Sequence, residues 1–109
     1  MKRIYLFCNL GMSTSILAAA MQKAAEDHNL DIEIKAFSDK QILDDESTID
    51  SPDVICLGPQ IRFKYDEAVA KHPDKPVIVI DYNDYGSANG EAVLKKALLS
   101  LKKFKESNN

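Results

Sequence analysis

Only two cysteines occur in the 109 residues, and Cys8 and Cys56 share neither a Cys-x-x-Cys nor a metal-ligand spacing. A disulfide framework is therefore excluded, the reducing cytosol is the compartment such cysteine usage suits, and no metal or other cofactor is expected. Positive charge is not in surplus: 14 Lys and Arg stand against 17 Asp and Glu, a net −3, with the basic residues scattered along the chain. That balance argues against a nucleic-acid partner. Long apolar runs are missing too, since no segment nears the ~18 consecutive residues a membrane span needs. Met1-Lys2-Arg3 leads directly into Ile4-Tyr5-Leu6-Phe7, with no signal-peptide core or cleavage site, so the chain is expected to be soluble and to meet a membrane only through a partner. Internal repeats, low-complexity stretches and Ser/Gly linkers are absent, and the length allows one domain, 1–109.

What is present is material for a core. Hydrophobic residues make up 45% of the chain and charged ones 28%, near globular averages, which sets disordered tails aside. Ile4-Tyr5-Leu6-Phe7-Cys8 is a continuous apolar run, the pattern of a strand buried on both faces. Ile16, Leu17, Ala20, Met21 and Ala24 mark one stripe of a helix that begins near Ser13-Thr14 and ends around His28-Asn29. Ile32 to Phe37 alternates as an edge strand does. Ser38 to Pro52 reads as a polar, acidic loop with one helical turn near Gln41-Ile42-Leu43. Val54-Ile55-Cys56-Leu57 is a second buried strand, stopped by Gly58-Pro59. Ile61, Tyr65, Ala68, Val69 and His72 then share a helical face ended by Pro73. Val77-Ile78-Val79-Ile80 is the fourth strand, and after a polar loop Val93, Leu94, Ala97, Leu98, Leu101 and Phe104 line a final helix, with 107–109 expected to fray. Strands alternating with helices predict an α/β fold with a parallel sheet, whose ligands bind beyond the carboxyl ends of the strands.

At the carboxyl end of the first strand stands Cys8-Asn9-Leu10-Gly11-Met12-Ser13-Thr14-Ser15, a thiol followed by a glycine turn and a hydroxyl-rich helix start. Backbone N–H groups from Asn9 to Ser15, together with the helix dipole, suit a phosphate-sized dianion. The same field favours thiolate, which makes Cys8 a candidate nucleophile rather than a small apolar residue closing a strand. Gly11 relieves a tight turn or close approach. Ser13, Thr14 and Ser15 can cap the helix or donate to phosphoryl oxygens. A phosphatase, an arsenate reductase, a redox thiol and a phosphoryl carrier all use such a loop. The tyrosine-phosphatase pattern Cys-x5-Arg has Thr14 at its arginine position here, and no Arg or Lys occurs between Cys8 and Ala20. Without that clamp, attack by water is poorly stabilised and a phosphocysteine waits for a better acceptor, which is carrier behaviour.

Cys8 through Ser15, Leu57-Gly58-Pro59-Gln60-Ile61, Ile80-Asp81 and Tyr85-Gly86 together resemble the enzyme IIB component of the lactose/cellobiose (chitobiose) class of the bacterial sugar phosphotransferase system, end to end. The resemblance implies a four-stranded parallel sheet in order 2-1-3-4 flanked by helices and a phosphocysteine at Cys8. It also implies a phosphoryl donor, the phosphohistidine of a IIA protein, and as acceptor a sugar carried by the membrane component IIC. Leu10 and Met12 are then apolar contacts for IIA and IIC, or pack over the first helix.

Other residues are weighed beside these. Cys56 reads as an inert core thiol, with a redox pair to Cys8 as the sharper alternative. His28 and His72 sit at helix C-termini, where imidazolium suits the dipole, at the opposite edge from Cys8. Asp81, Tyr82, Asp84 and Tyr85 follow the fourth strand on the same edge as Cys8; a solvated site rim is expected, with an Asp as proton donor or acceptor the alternative. Gln60 offers an amide to that rim. Asp44-Asp45-Glu46 is a solvated acidic loop or a guide for a basic partner. The competing functional class is a non-relaying regulatory or thiol-redox module in which Cys8 is oxidised or phosphorylated as a signal, with a low-molecular-weight phosphatase third.

Overall fold

A computed structural model describes residues 1–8, 11–38 and 52–107, the side chains of 11–13 excepted. β1 (Lys2–Cys8), β2 (Ile32–Ser38), β3 (Val54–Leu57) and β4 (Val77–Val79) form one sheet in the order β2-β1-β3-β4. All three pairings are parallel, with Cys8 opposite Ser38, and Leu6 opposite both Ala36 and Cys56. β1 is central, and its run Ile4–Cys8 is wholly buried, as continuous hydrophobicity in a doubly covered strand requires. β2 is an edge strand with an incompletely alternating pattern of burial.

The helices cover both faces. On one, Ile4, Leu6, Cys8 and Cys56 pack against Leu17, Met21 and Ala25 of α1 (Gly11–Asp27) and against Val93, Leu94, Ala97 and Leu101. Those last residues belong to the long helix Gly90–Ser107, which is α4 in chain order. On the other face Tyr5, Phe7, Ile55 and Leu57 meet Ile61, from a short 3-10 helix (Pro59–Lys64), and Ala68, from α2 (Tyr65–Lys71). Phe37 closes this side from β2, its ring centroid 4.9 Å from that of Tyr5 and 5.6 Å from that of Phe7. α1 stops where Asn29 turns left-handed at φ 56°. Leu30 N–H then reaches the Ala25 carbonyl at 2.8 Å and Asn29 N–H that of Glu26 at 3.0 Å, a Schellman closure that satisfies the terminal carbonyls. At the start of α4, a Cβ on Gly90 would overlap the α1 main chain at Ala20 and Met21, so the two helices cross with nothing but glycine between them.

Several boundaries differ from those the sequence suggests. α1 starts at Gly11 rather than near Ser13-Thr14. The segment Ile61–His72 is not one helix: Ile61 at φ −117° breaks it, and α-geometry begins only at Tyr65. β4 ends at Val79, one residue short of Ile80. The expected polar loop after it contains a further helix, α3 (Tyr82–Gly86), because Asp81 caps it with its carboxylate, accepting from the N–H groups of Asn83 at 3.0 Å and Asp84 at 3.3 Å. The turn expected near Gln41-Ile42-Leu43, the acidic Asp44-Asp45-Glu46, and Asn9 and Leu10 all fall outside the described residues.

Candidate functional site

β1 and β3 leave the sheet side by side. Gly58 N–H donates to the Phe7 carbonyl at 2.8 Å, and Ile80 N–H to that of Leu57, also at 2.8 Å, so the carboxyl ends of β1, β3 and β4 are fixed to one another. Cys8 ends β1 on the face covered by α1 and α4, and its side chain is only 1% exposed. Its surroundings are nonetheless polar. Cys8 Sγ lies 3.2 Å from the Tyr85 hydroxyl, which is itself 3.1 Å from Thr14 Oγ1. On another side the thiol donates to Gln60 Oε1 at 3.6 Å. A carboxamide has two faces, so Gln60 can also turn its amino group to a thiolate.

Gly58 makes the space for this cluster. A Cβ there would lie 3.1 Å from Cys8 Sγ and 3.1 Å from Gln60 Oε1. Its φ of −61° is open to any residue, so room for the thiol, not backbone freedom, is what the glycine provides. In the sequence Gly58 reads as a strand stop; its adjacency to Cys8 becomes visible only with the parallel register of β1 and β3.

Two expectations are corrected by side-chain position. Tyr85 is no rim residue but 7% exposed at the back of the site, because the Asp81-capped helix turns it inward. Thr14, 1% exposed, directs its hydroxyl to Tyr85 rather than outward to an incoming phosphoryl group. The other members of the expected rim divide. Gln60 reaches Cys8. Asp81 is committed to the α3 cap, Asp84 pairs with Lys96 at 2.7 Å, and Tyr82 stands 67% exposed. The Asp84 carboxylate, by hydrogen bond and charge, holds the Lys96 ammonium to higher pH than usual. Gly11, Met12 and Ser13 form the first turn of α1, and Ser15 is exposed in the next. A helix beginning at Gly11 leaves the N–H groups of that turn without acceptors inside the helix, three residues beyond Cys8.

The remaining candidates lie elsewhere. Cys56 is fully buried among aliphatic side chains, and burial pushes its thiol from the usual 9.0 up to about 12. It faces Leu6 across the β1–β3 ladder, two residues down from Cys8, which puts the two cysteine Cα atoms roughly 8 Å apart, beyond disulfide reach. His28 pairs with Glu91 at 2.7 Å past the end of α1, and His72 caps α2 at its carboxyl end.

The fold and site define a small parallel-sheet domain with a thiol at the carboxyl end of its central strand, backed by hydroxyls and followed by a helix start. Residues 3–96 match the family model described as the PTS system, Lactose/Cellobiose specific IIB subunit. The chain belongs to this family of the sugar phosphotransferase system, and is accordingly an EIIB component and a phosphotransferase. It is 45% identical over 101 residues, 88% of its own length and 93% of the relative's, to the cellobiose-specific EIIB component of Lactococcus lactis subsp. lactis. To the galactose-specific EIIB component of Lactococcus lactis subsp. cremoris it is 44% identical at the same coverage. The solution structure of a cellobiose-specific IIB protein from Borrelia burgdorferi superposes with a TM-score of 0.73 at 33% identity, covering 94% of this chain and 93% of that one.

Proposed function

We propose that the domain 1–109 relays a phosphoryl group on Cys8, from a phosphohistidine of IIA to a sugar delivered by IIC. The observation that carries this reading is the thiol's setting: a cysteine at the carboxyl end of the central strand, hydrogen-bonded to Tyr85 and Gln60, three residues before the start of α1. The Cys8 thiolate attacks phosphorus in line; the S–P bond forms as the N–P bond breaks, and the donor imidazole keeps that electron pair. N–H groups between Asn9 and Ser15 receive the equatorial oxygens, where a helix start offers donors and positive potential. In the second step a sugar hydroxyl attacks the same phosphorus, the thiolate leaves with the S–P electron pair, and the hydroxyl proton goes to solvent. Cys8 is covered in the resting domain, so docking of either partner must open a path to sulfur.

Both exchanges call for partners to dock at this edge, and three elements that start or end near it carry exposed apolar groups: Ile16 on α1, Phe63 on the 3-10 helix and Tyr82 on α3. Met12 belongs to the same helix start as Ile16. No helix among the described residues is long and apolar enough to cross a membrane, and in this reading the domain works on the cytoplasmic side, held at the membrane by IIC. The sugar is a cellobiose-, chitobiose- or lactose-type one. Near-equal identity to cellobiose- and galactose-specific relatives does not single out one sugar, and in this reading the transport component makes the choice.

Intact-mass measurement tests the relay. Mixing with phosphorylated IIA is expected to add one phosphate, and membranes carrying IIC with a β-glucoside are expected to remove it. A stable adduct that no sugar discharges would point instead to a signalling module, and absence of any adduct would remove the phosphocysteine chemistry altogether.

A further inference from the structure

The polar groups behind Cys8 form a chain with a direction. The thiol donates to Gln60 Oε1, leaving the sulfur lone pairs as acceptors toward the Tyr85 hydroxyl 3.2 Å away. With Tyr85 donating to sulfur, its own oxygen accepts from Thr14 Oγ1 at 3.1 Å. All three atoms of the link Thr14 to Tyr85 to Cys8 are buried, where a hydrogen bond to charge is strong and poorly replaced by water. From this geometry we infer that the Tyr85 hydroxyl is the side-chain donor already in place for the Cys8 thiolate before transfer, and that Thr14 is a positioning residue acting through Tyr85.

The inference deepens the relay reading and rests on it for its purpose, though its test does not require a phosphoryl donor. On ionisation the thiol proton leaves to solvent and Tyr85 stays neutral, its O–H directed at sulfur. Thr14 keeps that orientation by occupying the Tyr85 oxygen as a donor. The Gln60 carboxamide must turn to follow the change, whereas Tyr85 and Thr14 need not move. A donor already in place on the anion favours the charged form. Once sulfur bonds to phosphorus its negative charge is gone, so the same hydrogen bond weakens in the product and does not hold the phosphoryl group. Tyr85 therefore favours the attacking form, and also the leaving form in the second transfer, when thiolate is regenerated.

Titration of the Cys8 Cβ chemical shift, in protein labelled at cysteine Cβ with carbon-13, reads the thiol directly, with the Cys56 signal as an internal check on the fold. Tyr85→Phe keeps the ring and is expected to raise the Cys8 midpoint by about one pH unit, the scale of a hydrogen bond to a charged group. Thr14→Val is expected to raise it by less, and Thr14→Ser, which retains a hydroxyl, to restore it. Single-turnover phosphorylation of Tyr85→Phe should then fall about tenfold below the wild-type midpoint and recover at higher pH, as the thiolate fraction recovers. A Cys8 midpoint unchanged in both Tyr85→Phe and Thr14→Val, with the Cys56 signal intact, would overturn the inference. Failure of the wild type to accept phosphate would overturn the relay instead and leave the titration standing.

Discussion

The two cysteines are equally hidden from solvent and differ in what surrounds them. Cys56 lies inside β3, opposite Leu6, with burial as the cause that raises its thiol to about 12. Cys8 ends β1, where the sheet gives way to Tyr85, Gln60, Gly58 and the start of α1. Both contribute to the same core cluster, so burial alone does not separate a structural thiol from the proposed nucleophile. Position along the strand does. A residue in the middle of a parallel strand meets neighbouring strands and helix sides, which are apolar, whereas a residue at the carboxyl end meets helix starts and loop side chains, which carry donors.

The comparison breaks most visibly by deleting each thiol in turn. Cys8→Ser is expected to lower phosphoryl relay by at least about three orders of magnitude while the domain stays folded. Cys56→Ala should relay within a factor of about two, at a cost near 1 kcal/mol for the lost sulfur. A coupled assay with phosphorylated IIA, read beside a urea melt, checks both; a serine variant at position 8 that still passed phosphate to sugar would sink the mechanism.

A second variant sharpens what surrounds Cys8. Gly58→Ala introduces a methyl group 3.1 Å from Cys8 Sγ. It is expected to displace the thiol by a few tenths of an ångström, slow phosphoryl uptake about tenfold, and cost about 1 kcal/mol. Uptake at the wild-type rate would show that Gly58 gives the thiol no needed room. The same change at Gly90 addresses the core, since a methyl group there meets the α1 main chain and should destabilise without a specific effect on transfer.

The third concerns pH and isolates Cys56. Between pH 9 and about 12 the folded thiol keeps its proton while the unfolded one has lost it. Unfolding therefore releases a proton, and stability falls as pH rises through this window, having been fully present below it. The stability of wild type relative to Cys56→Ala should fall across that range by up to about 4 kcal/mol, at 1.36 kcal/mol per unit, so that the small advantage of wild type at neutral pH reverses. Denaturant melts at a series of alkaline pH values check it, and a difference that stays constant would mean Cys56 is less enclosed than the structure shows.

Much of this was legible in the residues. The uninterrupted run Ile4–Cys8 identified a strand covered on both faces, and the hydroxyl-rich segment after it identified a helix start and a candidate nucleophile. The strand order, by contrast, followed from family resemblance, not from periodicity. Tyr85 and Thr14 were legible as residues but not as partners. They meet across 71 positions, and the helix that turns Tyr85 inward depends on a five-residue segment too short to show a periodic pattern. Aspartates after a strand resemble a solvated rim; only the carboxylate's capping bonds reveal that Asp81 builds the helix that aims Tyr85. Gly58 was legible as the stop of β3 but not as the space-maker it also is, because the side chain it leaves room for lies fifty positions earlier.

Residue-resolved mapping of the phosphate after wild-type protein is mixed with phosphorylated IIA tests the difference between the two thiols most directly. All phosphate is expected on the peptide containing Cys8 and none on that containing Cys56; phosphate on Cys56, on a histidine, or on neither cysteine would contradict the account.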